Sequence, residues 1–381
     1  MMKKILILGA GFGGLETATG LAQALDKKDY EITLIDKNDS FFIGFSKIDV
    51  LFGRATAPEV SHRYQNLRED GIRFIQDTIT SIDSGRKLVE TEQHTLSYDY
   101  LVVGLGADFD YEAVPGFTQS GGFEFYSMKG AEKLAPVLKT FTSGTIVLGI
   151  FSMPYKCPPA PYEVACQLVD FFRDRGIRDG IDLKIVVPGP RPVKNPNVSE
   201  MLEKQLSDHD IELVANTPIE SIDANAKRVI TRDGDIPYDL FIGVPVHTPP
   251  SVVRNSKISD GGFIPVNTVN LETAIPDVYA IGDVTKIPAG EEAVPKAGAF
   301  AEDAARTVVS DILRKEGFRS DVHPFHARGA CYFELGSGEV AKLDANFLGG
   351  EKPDMVVYGP SRDFQKDKEH FATSKCDRWF R

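Results

Sequence analysis

Residues 3–14 read KKILILGAGFGG, an apolar run that ends in glycines at positions 9, 11 and 14. KKILIL has the continuous apolar character of a buried parallel strand. The glycines stand in the frame GxGxxG, with Phe12 and Gly13 inside it, and LETATGLAQAL continues as a helix. A second strand, YEITLID, ends on Asp36 beside Lys37, about twenty residues past the last glycine, as a dinucleotide-binding unit requires. Gly9, Gly11 and Gly14 permit a tight turn and let the backbone approach a pyrophosphate, which then sits at the positive end of the helix. Asp36 is placed to hydrogen-bond the ribose hydroxyls of an adenosine.

The chain around this unit has 381 residues, enough for two or three domains with buried cores. It is 42% hydrophobic and 26% charged, with a formal net charge of −12, which argues against a general affinity for nucleic acid or anionic lipid. No apolar run approaches the roughly 18 residues that span a bilayer. The opening MMKKILILGAGFGGLETA is broken by glycines and Glu16 and is read as the first strand of the fold, not as a signal peptide. The expected location is therefore cytoplasmic, with at most a peripheral membrane contact. Four cysteines, at 157, 166, 331 and 376, are too few and too scattered for a secreted disulfide scaffold. They show no CxxC and no zinc spacing, so no metal site is expected.

Downstream segments show which dinucleotide fits. YDYLVVGLGA is an apolar strand that ends at Gly106 and Ala107. Far along the chain, TAIPDVYAIGDV runs into Gly282 and Asp283, and VPKAGAFAEDAARTVVSDIL begins a helix behind Lys296 and Ala297. A distant segment that returns to the first site with a Gly-Asp pair and a new helix N-terminus suits a ligand longer than NAD. Asp283 can hold a ribityl hydroxyl, the Gly282–Asp283 amides can meet phosphate, and the helix behind Lys296 can face the flavin edge where negative charge develops on reduction. GAGFGG and VYAIGDV together resemble the flavoproteins with two dinucleotide-binding domains, among them the pyridine nucleotide-disulfide reductases. The resemblance implies FAD.

The chain also repeats itself. GIRFIQDTITSIDSGRKLV…LSYDYLVVGLGA is echoed by DIELVANTPIESIDANAKRVI…IPYDLFIGVPVH, a period that means domain duplication. The expected fold is α/β: two Rossmann-like three-layer domains and a small C-terminal α+β region. Residues 1–110 with 246–315 would form a discontinuous FAD-binding domain, 111–245 the second Rossmann-like domain, and 316–381 the C-terminal part. The second copy opens with the strand GTIVLGIF, but SMPYKCPPAPYE follows where glycines should cradle a second phosphate. Prolines lack the N–H that phosphate needs and cannot adopt the glycine conformations. The second fold is retained while its NAD loop has degenerated. Cys157 lies in that loop, just before a helix N-terminus and beside Lys156, two features that favour a thiolate.

YKCPPAPYE is similar to the sulfide:quinone oxidoreductase family and to its sister, the flavoprotein subunit of flavocytochrome c sulfide dehydrogenase. The resemblance covers essentially the whole chain. It implies a second cysteine from the C-terminal region, and GACYFELGSGEVAKL supplies Cys331 there. Cys157 and Cys331 would then be a redox pair. Sulfide attacks the pair, one sulfur keeps a persulfide, and the electrons pass through the flavin to a quinone, while sulfur leaves as polysulfide or on a small acceptor. Several members carry a third cysteine ahead of the second domain, whereas GGFEFYSMKGAEKL has none here. Glu163 and His247 are the candidate proton relays. Phe347, Tyr358 and Phe371 are possible quinone contacts, and the tail SRDFQKDKEHFATSKCDRWFR is too short and polar for firm membrane attachment. A homodimer is compatible with these features. Two other readings stand beside this one: an NAD(P)H-dependent quinone or sulfur reductase, and an FAD-binding sensor or scaffold without turnover.

Overall fold

The computed structural model describes residues 2–290, 292–350 and 353–381. In chain order, β1 (Lys3–Leu8), α1 (Phe12–Ala24), β2 (Tyr30–Asp36), β3 (Ile72–Gln76) and β4 (Tyr100–Val103) make the first pass. The second consists of α2 (Met128–Thr140), β5 (Gly144–Ile150), α3 (Ala160–Asp174), β6 (Ile181–Val186), β7 (Ile211–Val214) and β8 (Leu240–Val244). The chain then returns as β9 (Val278–Ala280) and α4 (Gly298–Lys315). It closes with β10 (Arg328–Glu334), β11 (Val340–Asn346), β12 (Asp354–Ser361) and α5 (Phe364–Trp379).

Two parallel sheets result, ordered β9-β4-β1-β2-β3 and β7-β6-β5-β8. In both, the strand that leads into the nucleotide loop lies between its successor and the last strand of the unit. Ligands bind beyond the carboxyl ends of such strands, where the strand order reverses. The duplication extends to detail. Each copy carries an antiparallel meander with a register shift at the same place, between Ile79 and Ser81 in the first and between Ile219 and Ser221 in the second. The two crossings between the halves pair with each other, Asp108–Asp110 against Val246–Thr248. The architecture is thus α/β with two Rossmann-like units.

The C-terminal sheet, β10-β11-β12, packs on both units and has no core of its own. Phe333, Leu335, Ala341 and Leu343 join the core of the second sheet. Ala345, Phe347, Trp379 and Phe380 join that of the first. The apolar end of the tail is therefore turned inward, with Trp379 and Phe380 buried. Phe347, a possible quinone contact by sequence, is buried against Phe300. Among the described residues, no helix is long and apolar enough to cross a membrane.

Candidate active site

The strand β1 ends in the glycine loop, and each glycine there has its own steric reason. Gly9 has φ +92°, and a Cβ on Gly14 would lie 1.8 Å from the Gly9 carbonyl oxygen, so these two close the turn. Gly13 would meet the Ile281 side chain at 2.8 Å. At Gly11 a Cβ would meet nothing within 4 Å, because that position faces an open cavity of about 330 Å³. Phe12, Gly13, Gly106, Gly282, Asp283 and Ala297 also line it. Gly106 and Gly282 both have positive φ, +70° and +72°. At the end of β2 the Asp36 carboxylate accepts the Ala10 N–H at 2.8 Å, which ties it to the loop. Lys37 is exposed and Ala107 half-buried, and neither is on the cavity wall.

The residues present fit FAD on three counts. The Gly11 side of the loop is an open cradle. Asp283 faces the cavity with no hydrogen-bond partner for its carboxylate among the described residues. The N-terminus of α4 carries no side-chain cap and no acid in its first turn, so its N–H groups remain available to a negative edge. Lys296 lines the cavity too. Its Nζ donates to the carbonyl oxygens of Asp283 (2.5 Å) and Thr285 (3.2 Å) and sits over the Phe263 ring. Burial pushes its pKa down to about 8. Lys296 therefore braces the turn that presents Asp283.

Residues 151–159 replace the second glycine turn. This longer connection carries Cys157 away from β5 to the first unit, where its N–H donates to the Lys296 carbonyl at 2.8 Å. Cys157 has φ +52°, a left-handed conformation uncommon for a side chain with a Cβ. It is exposed, but onto the wall of the cavity, which Cys331 of β10 also lines. Both thiols are free. The expected thiolate is not favoured in this state. Burial, followed by the charges of Glu163 and Cys331, pushes the Cys157 thiol well above its ordinary range, and Lys47 offsets only part of this. Burial lifts Cys331 to about 11. Cys166 is buried in α3, and Cys376 lies 3.2 Å from His62 Nε2.

Glu163, in the first turn of α3, is buried on the same wall, and burial raises its carboxyl to about 7. The Glu334 N–H donates to it at 2.9 Å, and Lys368 of α5, 3.5 Å away, bridges to Glu334 at 2.7 Å. His247 is not brought to the cavity. Its ring packs edge-on against Phe109 and Tyr126, and its Nδ1 donates to the Pro245 carbonyl. Burial and then the nearby Lys156 depress its pKa to about 3, and its buried Nε2 has no partner among the described residues. Such an imidazole is neutral and set back by one residue, so it is poorly placed to relay protons. Lys47, in the short helix Ser46–Leu51, is a wall residue that motif reading missed. A lone lysine in GFSKID carries no signal of its own.

The second unit also lacks the partner of a nicotinamide ribose. In the first sheet Asp36 ends β2. Beyond β6 the equivalent stretch is Val187 and Pro188, and the fully buried Tyr162 bonds the Pro192 carbonyl there.

Residues 3–149 and 162–303 match the family described as pyridine nucleotide-disulphide oxidoreductase. The chain belongs to this family. Its members are FAD-binding oxidoreductases, and the interruption at 150–161 falls on the loop that bears Cys157. The chain is similar to the mitochondrial sulfide:quinone oxidoreductase of Mus musculus, 23% identical over 76% of this chain and 67% of that protein. It is also similar to the type II NADH:quinone oxidoreductase of Staphylococcus aureus, 27% identical over 82% of each. Among solved structures, the sulfide:quinone oxidoreductase of Aquifex aeolicus has the same fold, with a TM-score of 0.86 and 21% identity over 98% of this chain and 91% of that one. NDH2 of Plasmodium falciparum in complex with NADH aligns with a TM-score of 0.74 and 15% identity, over 97% and 94%.

Proposed function

We propose that the protein oxidises sulfide through Cys157 and Cys331 and passes the electrons, by way of FAD, to a quinone. The observation that carries this reading is that two cysteines from separate parts of the chain line the one cavity into which the FAD loop opens. The similarity to sulfide:quinone oxidoreductases supports it. The same reading takes 1–110 with 246–315 as the FAD-binding part, 111–245 as the part that lends Cys157, and 316–381 as the part that lends Cys331. The cytoplasm, or the cytoplasmic face of a membrane, is the corresponding location.

With Cys157 and Cys331 joined as a disulfide, hydrosulfide attacks one sulfur. A new S–S bond forms as the old one breaks, giving a persulfide on one cysteine and a thiolate on the other. A second hydrosulfide removes the outer sulfur. In sum, two HS⁻ become HSS⁻, one proton and two electrons. Bound FAD would supply the two-electron relay between this pair and a quinone, which takes two protons to become a quinol. Glu163, with its carboxyl near neutrality, is suited to take the proton that sulfide releases. Lys47 and Lys156 favour the expelled thiolate.

The similarity to NADH:quinone oxidoreductases favours a second reading, with NADH as the electron source. The proline loop and the absence of a carboxylate after β6 weigh against it. Anaerobic titration of the FAD-loaded protein with sulfide, and separately with NADH, decides between them. Bleaching of the flavin by sulfide alone is expected. Bleaching by NADH alone overturns the proposal, and bleaching by neither points to a scaffold without turnover.

A further inference from the structure

Two lysines, Lys47 and Lys156, line the cavity with Cys157, and neither is ion-paired to a carboxylate among the described residues. Lys47 Nζ donates to the Tyr126 carbonyl at 2.6 Å, a bond that leaves its charge in place. Lys156 immediately precedes Cys157, and its Nζ lies 4.4 Å from the centre of the Phe109 ring. Among the described residues, neither ammonium comes within 4.0 Å of a carboxylate oxygen. Asp283, on the same wall, and the buried Glu124 act on both from further away, and Glu124 is already occupied. Its oxygens accept from the N–H groups of Tyr126 and Ser127 and from the hydroxyls of Ser127 and Tyr111.

This arrangement is costly as it stands. Burial disfavours each ammonium and holds both lysines below their ordinary range; with the charge of Lys156 added, Lys47 falls to about 7. A lysine that merely filled space would carry its charge out to solvent, as long side chains readily do. These two instead lie on the wall that Cys157 also lines. Asp283 offsets at most one of the two charges, and oxidised isoalloxazine is neutral. A small anion in front of Cys157 offsets the other.

We propose that Lys47 and Lys156 form an anion subsite beside Cys157, which binds the sulfur substrate as a small monoanion, hydrosulfide or disulfanide, and holds it against the cysteine. The identity of the anion rests on the sulfide reading of the site, whereas the subsite itself does not.

The test compares two alkylating reagents of similar size on the FAD-loaded protein, the anion iodoacetate and the neutral iodoacetamide. Modification of Cys157 is followed by peptide mass spectrometry. Dividing the two rates cancels the reactivity of the thiol and leaves the attraction for negative charge. In the Lys47→Met, Lys156→Met double variant the iodoacetate-to-iodoacetamide ratio at Cys157 should fall at least about tenfold, because the positive charge beside it on the cavity wall has been removed. The ratio at Cys376 should stay the same. An unchanged ratio at Cys157 in a variant that retains FAD overturns the subsite and leaves the lysines as partners of the thiolate or of the reduced cofactor. Thiocyanate supplies a test without substitution: it should protect wild-type Cys157 from iodoacetamide in a saturable way, and absence of protection overturns the proposal. A wild-type flavin that does not respond to sulfide, together with a falling ratio, would keep the subsite and remove sulfide as its occupant.

Discussion

The backbone N–H of Cys157 donates to the carbonyl oxygen of Lys296 at 2.8 Å, which ties the loop of the second unit to the turn that presents Asp283 in the first. The bond does not involve the thiol, so Cys157→Ala should keep the loop docked and FAD bound. Anaerobic flavin reduction by sulfide should fall by at least about a thousandfold, since removal of an activated nucleophile leaves only the residual contribution of binding. Stopped-flow absorbance measures this directly. Sulfide-driven bleaching at the wild-type rate would exclude Cys157 from the chemistry.

Two glycines of one loop should fail in different ways. Gly11 has φ −79° and open space where a Cβ would be, so Gly11→Val should fold but place its methyls where the pyrophosphate is received. It should purify colourless, with the circular dichroism of the wild-type apoprotein. Gly14→Ala sets a Cβ 1.8 Å from the Gly9 oxygen and should lose the folded protein itself. Comparison of flavin content with soluble yield separates the two effects.

Glu163 should impose a pH dependence. Burial resists its ionisation and, against the pull of Lys368 and the Glu334 N–H, sets its carboxyl near 7, well above the ordinary carboxylate range. The form that accepts a proton therefore exists above about pH 7 and disappears below it. The ratio of wild-type to Glu163→Gln reduction rates, which cancels the titration of sulfide itself, should rise about tenfold per unit below pH 7 and level off above it. A flat ratio would reduce Glu163 to a structural role.

The first unit was legible because its phosphate loop is made by backbone. Glycine spacing dictates where N–H groups converge, and glycine has few other reasons to recur in that frame. The proline-filled second loop was legible by the same logic in reverse. The behaviour of side chains was not. A cysteine before a helix N-terminus suggests a thiolate, yet desolvation of Cys157 and the charges of Glu163 and Cys331 outweigh the help of Lys47. Lys296 sits in the right segment but turns its ammonium onto carbonyl oxygens. Lys47 reaches the site by tertiary packing alone, with no periodicity to mark it. His247 ends a repeated strand, and only packing against Phe109 and Tyr126 shows that it stands off the cavity.

His247→Leu should accordingly leave sulfide-driven flavin reduction within about twofold of wild type. The substitution removes one hydrogen bond to Pro245, worth about 1 kcal/mol, and with it a buried, unpartnered Nε2 of comparable cost, so stability should change little. A loss of rate above tenfold, with FAD still bound, would return His247 to the proton path.

The end of the chain should govern retention of the cofactor. Trp379 is fully buried, with its ring centre 5.5 Å from those of Phe12 and Phe41, both of which line the cavity. Its indole N–H donates to the buried carboxylate of Glu16 on α1, which Arg378 grips through two nitrogens at 2.6 and 2.8 Å. Trp379→Ala removes a large ring from between the nucleotide loop and the tail and should cost about 3–5 kcal/mol. Trp379→Phe keeps most of the packing and loses one hydrogen bond to a charged acceptor, about 1.5–3 kcal/mol. Because the rings that Trp379 supports form the wall of the FAD cavity, flavin fluorescence on heating should report release of the cofactor at a lower temperature in the alanine variant than in the phenylalanine variant, and in both below wild type. Equal release temperatures for all three would show that the tail packs on the nucleotide loop without holding it.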